Sequence, residues 1–208
     1  MAMRWTIKLT PWQRIIIKSL IHLVASGWLM LTFWLGVQDQ LGADPVAGLL
    51  HFTGFGAINL LLITLLISPL SRYFGGELMR FRRLVGIYTF VYALGHFLTF
   101  AIFILGLDLN QLGATIVERP YITIGFAALL ILLALTITSP NALRRKLGRR
   151  WQTLHNLIYP ALFLMLWHYT WSEKTAWGTP VYYWAGALGV VLIKTHMKWK
   201  GWLSFRRK

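Results

Sequence analysis

Six stretches of the chain are nearly free of charge and close to the length of a membrane span, and nothing else in the sequence limits the fold so sharply. They cover about 15–36, 52–70, 84–107, 121–138, 154–171 and 181–193, the last being the shortest. A helix needs roughly 20 predominantly apolar residues to cross the hydrocarbon core. In lipid the backbone must satisfy its own N–H and C=O groups, so runs of this kind become helices. The fold class that follows is all-α: one integral membrane domain over residues 1–208, with six transmembrane helices packed as an antiparallel bundle. Composition agrees, because only 13% of the residues are charged where soluble domains carry about a quarter. The basic start at Arg4, Lys8 and Arg14 and the small residues Val24, Ala25 and Ser26 resemble a cleaved leader. The apolar run continues through Trp28 to Leu35, which favours a retained helix.

Charge sets the orientation. Nineteen of the 21 basic residues fall at the two chain ends and in the second and fourth connections; only Arg119 and Lys174 lie on the other side. Five of the six acidic residues, Asp39, Asp44, Asp108, Glu118 and Glu173, fall with that sparse side. Lysine and arginine collect on the cytoplasmic face, so both termini are expected in the cytoplasm. The formal net charge of +15 therefore reads as membrane-flanking charge facing lipid headgroups, and nucleic acid is not an expected partner. Trp12, Trp34, Trp151, Trp171, Trp177 and Trp199 lie near predicted span ends, where indole rings favour the interface. There is no cysteine, which excludes disulfides, thiolate-held iron–sulfur clusters and covalent haem attachment through C-x-x-C-H.

The titratable groups inside the spans point to chemistry. Such groups are costly in a membrane and are functional candidates by default. No span carries an aspartate or glutamate, which argues against a carboxylate proton relay. His96, His155 and His168 lie in the third and fifth spans, and neutral imidazole is a good ligand for iron. At about 1.5 Å per residue, His96 lies roughly 18 Å, His155 roughly 6 Å and His168 roughly 26 Å from the cytoplasmic ends of their spans. Axial ligands of one haem need similar depth, so His96 pairs better with His168 than with His155. The thirteen-residue step between His155 and His168 leaves them about 140° apart on an unbroken helix. Pro160 between them can change that relation by a kink. The third span offers only one histidine, so one haem is favoured and two remain possible. Gly86, Ala93 and Gly95 on that span would admit a flat macrocycle, or simply another helix. His22 and His51 read as packing or interfacial histidines, and His196 as a solvated one.

Two cytoplasmic runs, "MRFRRLVG" and "LRRKLGRR", are denser in arginine than orientation needs. Arginine binds phosphate bidentately. Arg82 and Arg83, at the start of the span that carries His96, would suit a phosphorylated flavin or a nucleotide, while lipid headgroups are the competing reading. No glycine-rich dinucleotide fingerprint is present.

Taken together, "LGADPV" at 41–46, "HFTG" at 51–54, "RRLVG" at 82–86, "ERPYITIG" at 118–125, "RRKLGRRWQTLHNLIY" at 144–159 and "HYTWS" at 168–172 resemble the MsrQ (YedZ) family. This is the haem-binding membrane subunit of a bacterial periplasmic protein-methionine-sulfoxide reductase system. More distantly the chain is similar to the ferric-reductase-type transmembrane domain, whose thirteen-residue histidine spacing it shares. The resemblance implies a multi-pass b-type cytochrome of the cell inner membrane that also binds FMN. It implies electrons taken from the quinone pool or a cytosolic flavin reductase and delivered to MsrP, a periplasmic molybdopterin enzyme that reduces methionine sulfoxide in proteins. On that view the chain is an electron-transfer subunit and not itself the catalytic reductase. The family's haem ligands match His96, His155 and His168, and its flavin-contacting arginine pair matches Arg82 and Arg83. The larger family usually has a second histidine on the third span, and this chain departs there. The rival readings are a quinol-oxidising cytochrome b anchor for a different periplasmic reductase, and a small transporter without cofactors.

Overall fold

The structure is a computed structural model that describes residues 8–173 and 177–206, and among these there are helices and their connections but no strand. Arg4, Lys174, Arg207 and Lys208, used above for orientation, lie outside the described residues. In chain order the helices are α1 (Pro11–Val37), α2 (Pro45–Phe74), α3 (Met79–Thr99), α4 (Leu109–Glu118), α5 (Pro120–Ile137), α6 (Asn141–Leu147), α7 (Arg149–His155), α8 (Ile158–Ser172) and α9 (Thr179–Arg206). A short 3₁₀ turn, Gly76–Leu78, leads into α3, and a π-helical segment, Phe100–Ile104, continues it.

Local sequence explains the starts. Thr10 and Gln13 form a reciprocal capping box around Pro11 at the head of α1, satisfying donors that the first turn leaves free. Asp44 caps α2 ahead of Pro45, and Asp108 caps α4 through the N–H groups of Asn110 and Gln111. Proline at the first helical position costs nothing, since its missing donor would be unpaired there.

Among the described residues, four segments are long and apolar enough to cross a membrane: α1, α2, Gly76–Ile104 and α5. The other two expected spans fall on α8 and α9. The stretch expected as one span over 154–171 is not one helix. It ends at His155 and restarts at Ile158, and the break sits where Pro160 cannot donate to the carbonyl of Asn156. The two pieces, of 7 and 15 residues, together hold about 33 Å of helical rise. The connection between the third and fourth spans holds the ten-residue α4.

α2 packs along α3, α5 along α8, and α3 meets α5, while α1 and α9 flank this group. Leu61, Leu65, Ala161 and Leu166 are fully enclosed at its centre. Polar groups inside are answered locally: Thr53, Thr64, Thr89 and Thr99 each donate to the carbonyl four residues earlier, at 2.6–3.3 Å. The outer face of α1 exposes Ile15, Ile16, Leu20, Leu23, Val24, Trp28, Leu31 and Trp34, an apolar band that only lipid or another apolar surface would cover. At the opposite-charge end, the Glu77 carboxylate holds Arg14 at 2.9 Å and Arg80 at 3.0 Å, tying α1 to the turn before α3.

Candidate functional site

A cavity of about 640 Å³ opens among α2, α3, α5 and α8, within the range of about 300–1,000 Å³ usual for cofactor pockets. Its wall is mostly apolar, with Phe55, Phe97, Phe126, Leu129 and Met165, and into it come His96 from α3 and His168 from α8. The two imidazole centres lie 6.0 Å apart with their planes at 85°. With metal–nitrogen bonds of about 2.0–2.1 Å, and each ring centre roughly 1.1 Å behind its nitrogen, two axial imidazoles have centres about 6 Å apart. The spacing is one at which two imidazoles could hold one metal between them.

Both rings are held in the same way. His96 Nδ1 donates to the carbonyl of Leu50 at 3.0 Å, and His168 Nδ1 donates to the carbonyl of Tyr121 at 2.7 Å. A proton fixed on Nδ1 leaves the lone pair on Nε2, the arrangement a metal-ligating histidine needs. Four residues after each of those carbonyls stands a glycine. A Cβ on Gly54 would lie 3.2 Å from His96 Nδ1, and one on Gly125 would lie 2.7 Å from His168 Nδ1. The bare backbone thus admits each ring close enough to reach its carbonyl. "HFTG" and "ERPYITIG" end on these two glycines.

The donor set narrows the chemistry. No cluster of three or more His, Cys, Asp or Glu side chains able to hold a metal ion occurs among the described residues. Two imidazoles are too few for a bare ion of the usual four-coordinate kind. They suffice for an iron whose other four ligands come from a macrocycle, and the aromatic and aliphatic wall suits its flat face.

His155 is elsewhere. It does not line the cavity; it closes α7, and its ring stacks on Trp151 with centres 3.9 Å apart. Its Nε2 lies 3.1 Å from Thr138 Oγ1, whose own proton goes to the Ala134 carbonyl at 2.7 Å, so Nε2–H is the donor toward Thr138. Trp151 Nε1 donates to the Thr138 carbonyl at 2.9 Å, and the Arg144 guanidinium covers the indole at 4.8 Å. The charges of Arg82 and Arg144 reach this imidazole. Arg83 donates to Asn141 Oδ1 at 2.9 Å and to the Ser139 carbonyl at 3.4 Å, bracing the turn after α5. Arg82, Arg83, Arg144 and His155 thus share one end of the bundle, while His96 and His168 share the cavity.

Of the two roles left open for the small residues on the third span, helix packing holds for the glycines. Gly86 packs against Thr64 and Gly95 against Phe33, Thr53 and Leu29, as ordinary helix contacts, and only Ala93 lines the cavity. Gly54 and Gly125 carry the close approach instead. They were not separable in the sequence from other membrane glycines, because neither lies on a helix that bears a ligand candidate. His22 Nδ1 meets Tyr88 Oη at 2.8 Å, His51 stacks on Phe55, and His196 is exposed on α9.

Residues 53–166 match the family model described as ferric reductase like transmembrane component. The chain is 46% identical over 197 residues to the protein-methionine-sulfoxide reductase heme-binding subunit MsrQ of Salmonella arizonae, covering 94% of this chain and 98% of that one. It is 43% identical over 202 residues to the subunits of the same name from Salmonella newport and Salmonella typhi, covering 96% of this chain and 99% of each. No solved structure matches.

Proposed function

We propose an electron-transfer function from a plain premise: the chain belongs to the ferric-reductase-like transmembrane family and, within it, to the MsrQ subunits. It is a six-span protein of the bacterial inner membrane with both termini in the cytoplasm, forming one domain. It passes electrons from quinol or a cytosolic flavin reductase, by way of FMN and haem b, to the periplasmic molybdoenzyme MsrP, which reduces protein methionine sulfoxide.

One observation carries this reading: two imidazoles in one apolar cavity, 6.0 Å apart, each with Nδ1 occupied by a carbonyl. His96 and His168 are the residues that would hold a haem b, and the bound group would supply one-electron iron chemistry. The chain's own part is to fix both imidazole tautomers through Leu50 and Tyr121. Gly54 and Gly125 keep the rings seated, and Phe97, Phe126 and Met165 keep the cavity dry. At the cytoplasmic end Arg82 and Arg83, with Arg144 near, would hold the FMN phosphate by charge-assisted hydrogen bonds. His155 keeps the Trp151–Thr138 corner in place there.

The test is coupling to a partner. Purified haem-loaded protein in vesicles should be reduced by quinol, or by a flavin reductase with its pyridine nucleotide, and reoxidised on adding MsrP and methionine sulfoxide. Reduction without reoxidation by MsrP, together with capture of a different periplasmic enzyme, would replace this reading with that of an anchor for another reductase.

A further inference from the structure

The cavity has two unlike ends. Toward the middle of the bundle its wall is Ala57, Ile58, Leu129 and Leu132; toward the α4–α5 junction it carries Arg119, with His51 and Glu173. Among the described residues, Arg119 is the only lysine or arginine in the lining. Its guanidinium makes no ion pair or hydrogen bond among the described residues, whereas Glu173 has the His51 imidazole at 4.0 Å. Arg119 directly precedes Pro120, the first residue of α5. It stands six residues before Gly125, and so about 9 Å along the axis from the level at which His168 is seated. A haem b has the same asymmetry: one edge bears two propionate carboxylates, and the opposite edge is hydrocarbon.

We propose that Arg119 binds a propionate carboxylate of the haem, so that the macrocycle stands in the cavity with its propionate edge at the α4–α5 junction. This rests on the haem reading above. A planar guanidinium matches a carboxylate bidentately, and at this mouth of an otherwise apolar cavity Arg119 is the cation placed to pair with one. The orientation puts the carboxylate edge on the side opposite Arg82, Arg83 and Arg144.

The experiment crosses a residue change with a change of haem. Wild-type protein, Arg119→Gln and Arg119→Lys are each titrated with haem b and with its propionate dimethyl ester, and the affinity is read from the Soret band. With haem b, R119Q is expected to bind about tenfold more weakly, the loss of one charge-assisted contact at about 1.4 kcal/mol per decade, and R119K to recover most of it. With the diester, R119Q and wild type differ by less than about twofold, because there is no carboxylate left to pair. Equal losses with the two haems, or no loss with haem b, overturn the proposal. A wild-type protein that shows no Soret band after haem loading instead defeats the underlying haem reading, so the two failures are distinct.

Discussion

Replacing Gly125 by alanine is a one-atom perturbation aimed at one imidazole. The added Cβ would lie 2.7 Å from His168 Nδ1, 2.9 Å from Cε1 and 3.0 Å from Cγ, where ordinary contact begins at 3.4 Å. A flat ring cannot yield at one atom, so the whole imidazole must withdraw by roughly 0.7 Å, stretching its bond to the Tyr121 carbonyl beyond the 2.7–3.2 Å range of a normal hydrogen bond. Overpacking of this kind costs about 1–3 kcal/mol, and the lost bond about 0.5–1.5 kcal/mol. At about 1.4 kcal/mol per decade, the two costs together, about 1.5–4.5 kcal/mol, should lower haem affinity on the order of 10–1,000-fold. The helix itself should not suffer, because alanine is favoured over glycine in a helix interior by about 1 kcal/mol. The assay is titration of apoprotein with haemin, followed by the visible spectrum. Gly54→Ala, whose Cβ would meet His96 Nδ1 at 3.2 Å, should cost less, and Gly86→Ala, at 3.5 Å from Thr64, almost nothing. G125A that binds haem like wild type, or G86A that is equally damaging, would refute the seating of His168 on Gly125.

Three further outcomes are expected. The 85° between the planes of His96 and His168 predicts a strongly anisotropic low-spin ferric EPR signal for the haem-loaded protein; the less anisotropic signal of parallel imidazoles would show that the rings turn on loading. Arg82→Gln should lower FMN retention in purified protein severalfold and make it more sensitive to salt, since screening weakens exposed charge pairs. Arg83→Gln should do the same while also loosening the turn at Asn141; flavin retention unchanged in both would reject the phosphate role.

The sequence made part of this arrangement legible for physical reasons. Apolar runs of span length have few alternatives in lipid, so helices over 15–36, 52–70, 84–107 and 121–138 were readable, and α1, α2, α3 and α5 lie there. The rise per residue put His96 nearer in depth to His168 than to His155, and the rings of His96 and His168 are neighbours. The same arithmetic separated His155 from His168 by rotation. The chain goes further, because the helix breaks after His155, and that imidazole bonds to Thr138 on another element. What stayed hidden depends on which helices are adjacent. Leu50 and Tyr121 act through backbone carbonyls, to which their side-chain identities give no clue. Gly54 and Gly125 look like any helix-packing glycine until a histidine is seen against them. α4 is a ten-residue amphipathic segment between spans, too short and too polar to stand out in a search for membrane helices.

The central claim, that His96 and His168 together carry one haem in a cavity that His155 does not line, is tested most directly by haem content and the Soret spectrum of three single variants. His96→Ala and His168→Ala, expressed with added haem, should each lose the low-spin spectrum and most of their haem, while His155→Ala should keep wild-type loading. Normal haem in H96A and H168A, or its loss in H155A alone, would contradict the pairing.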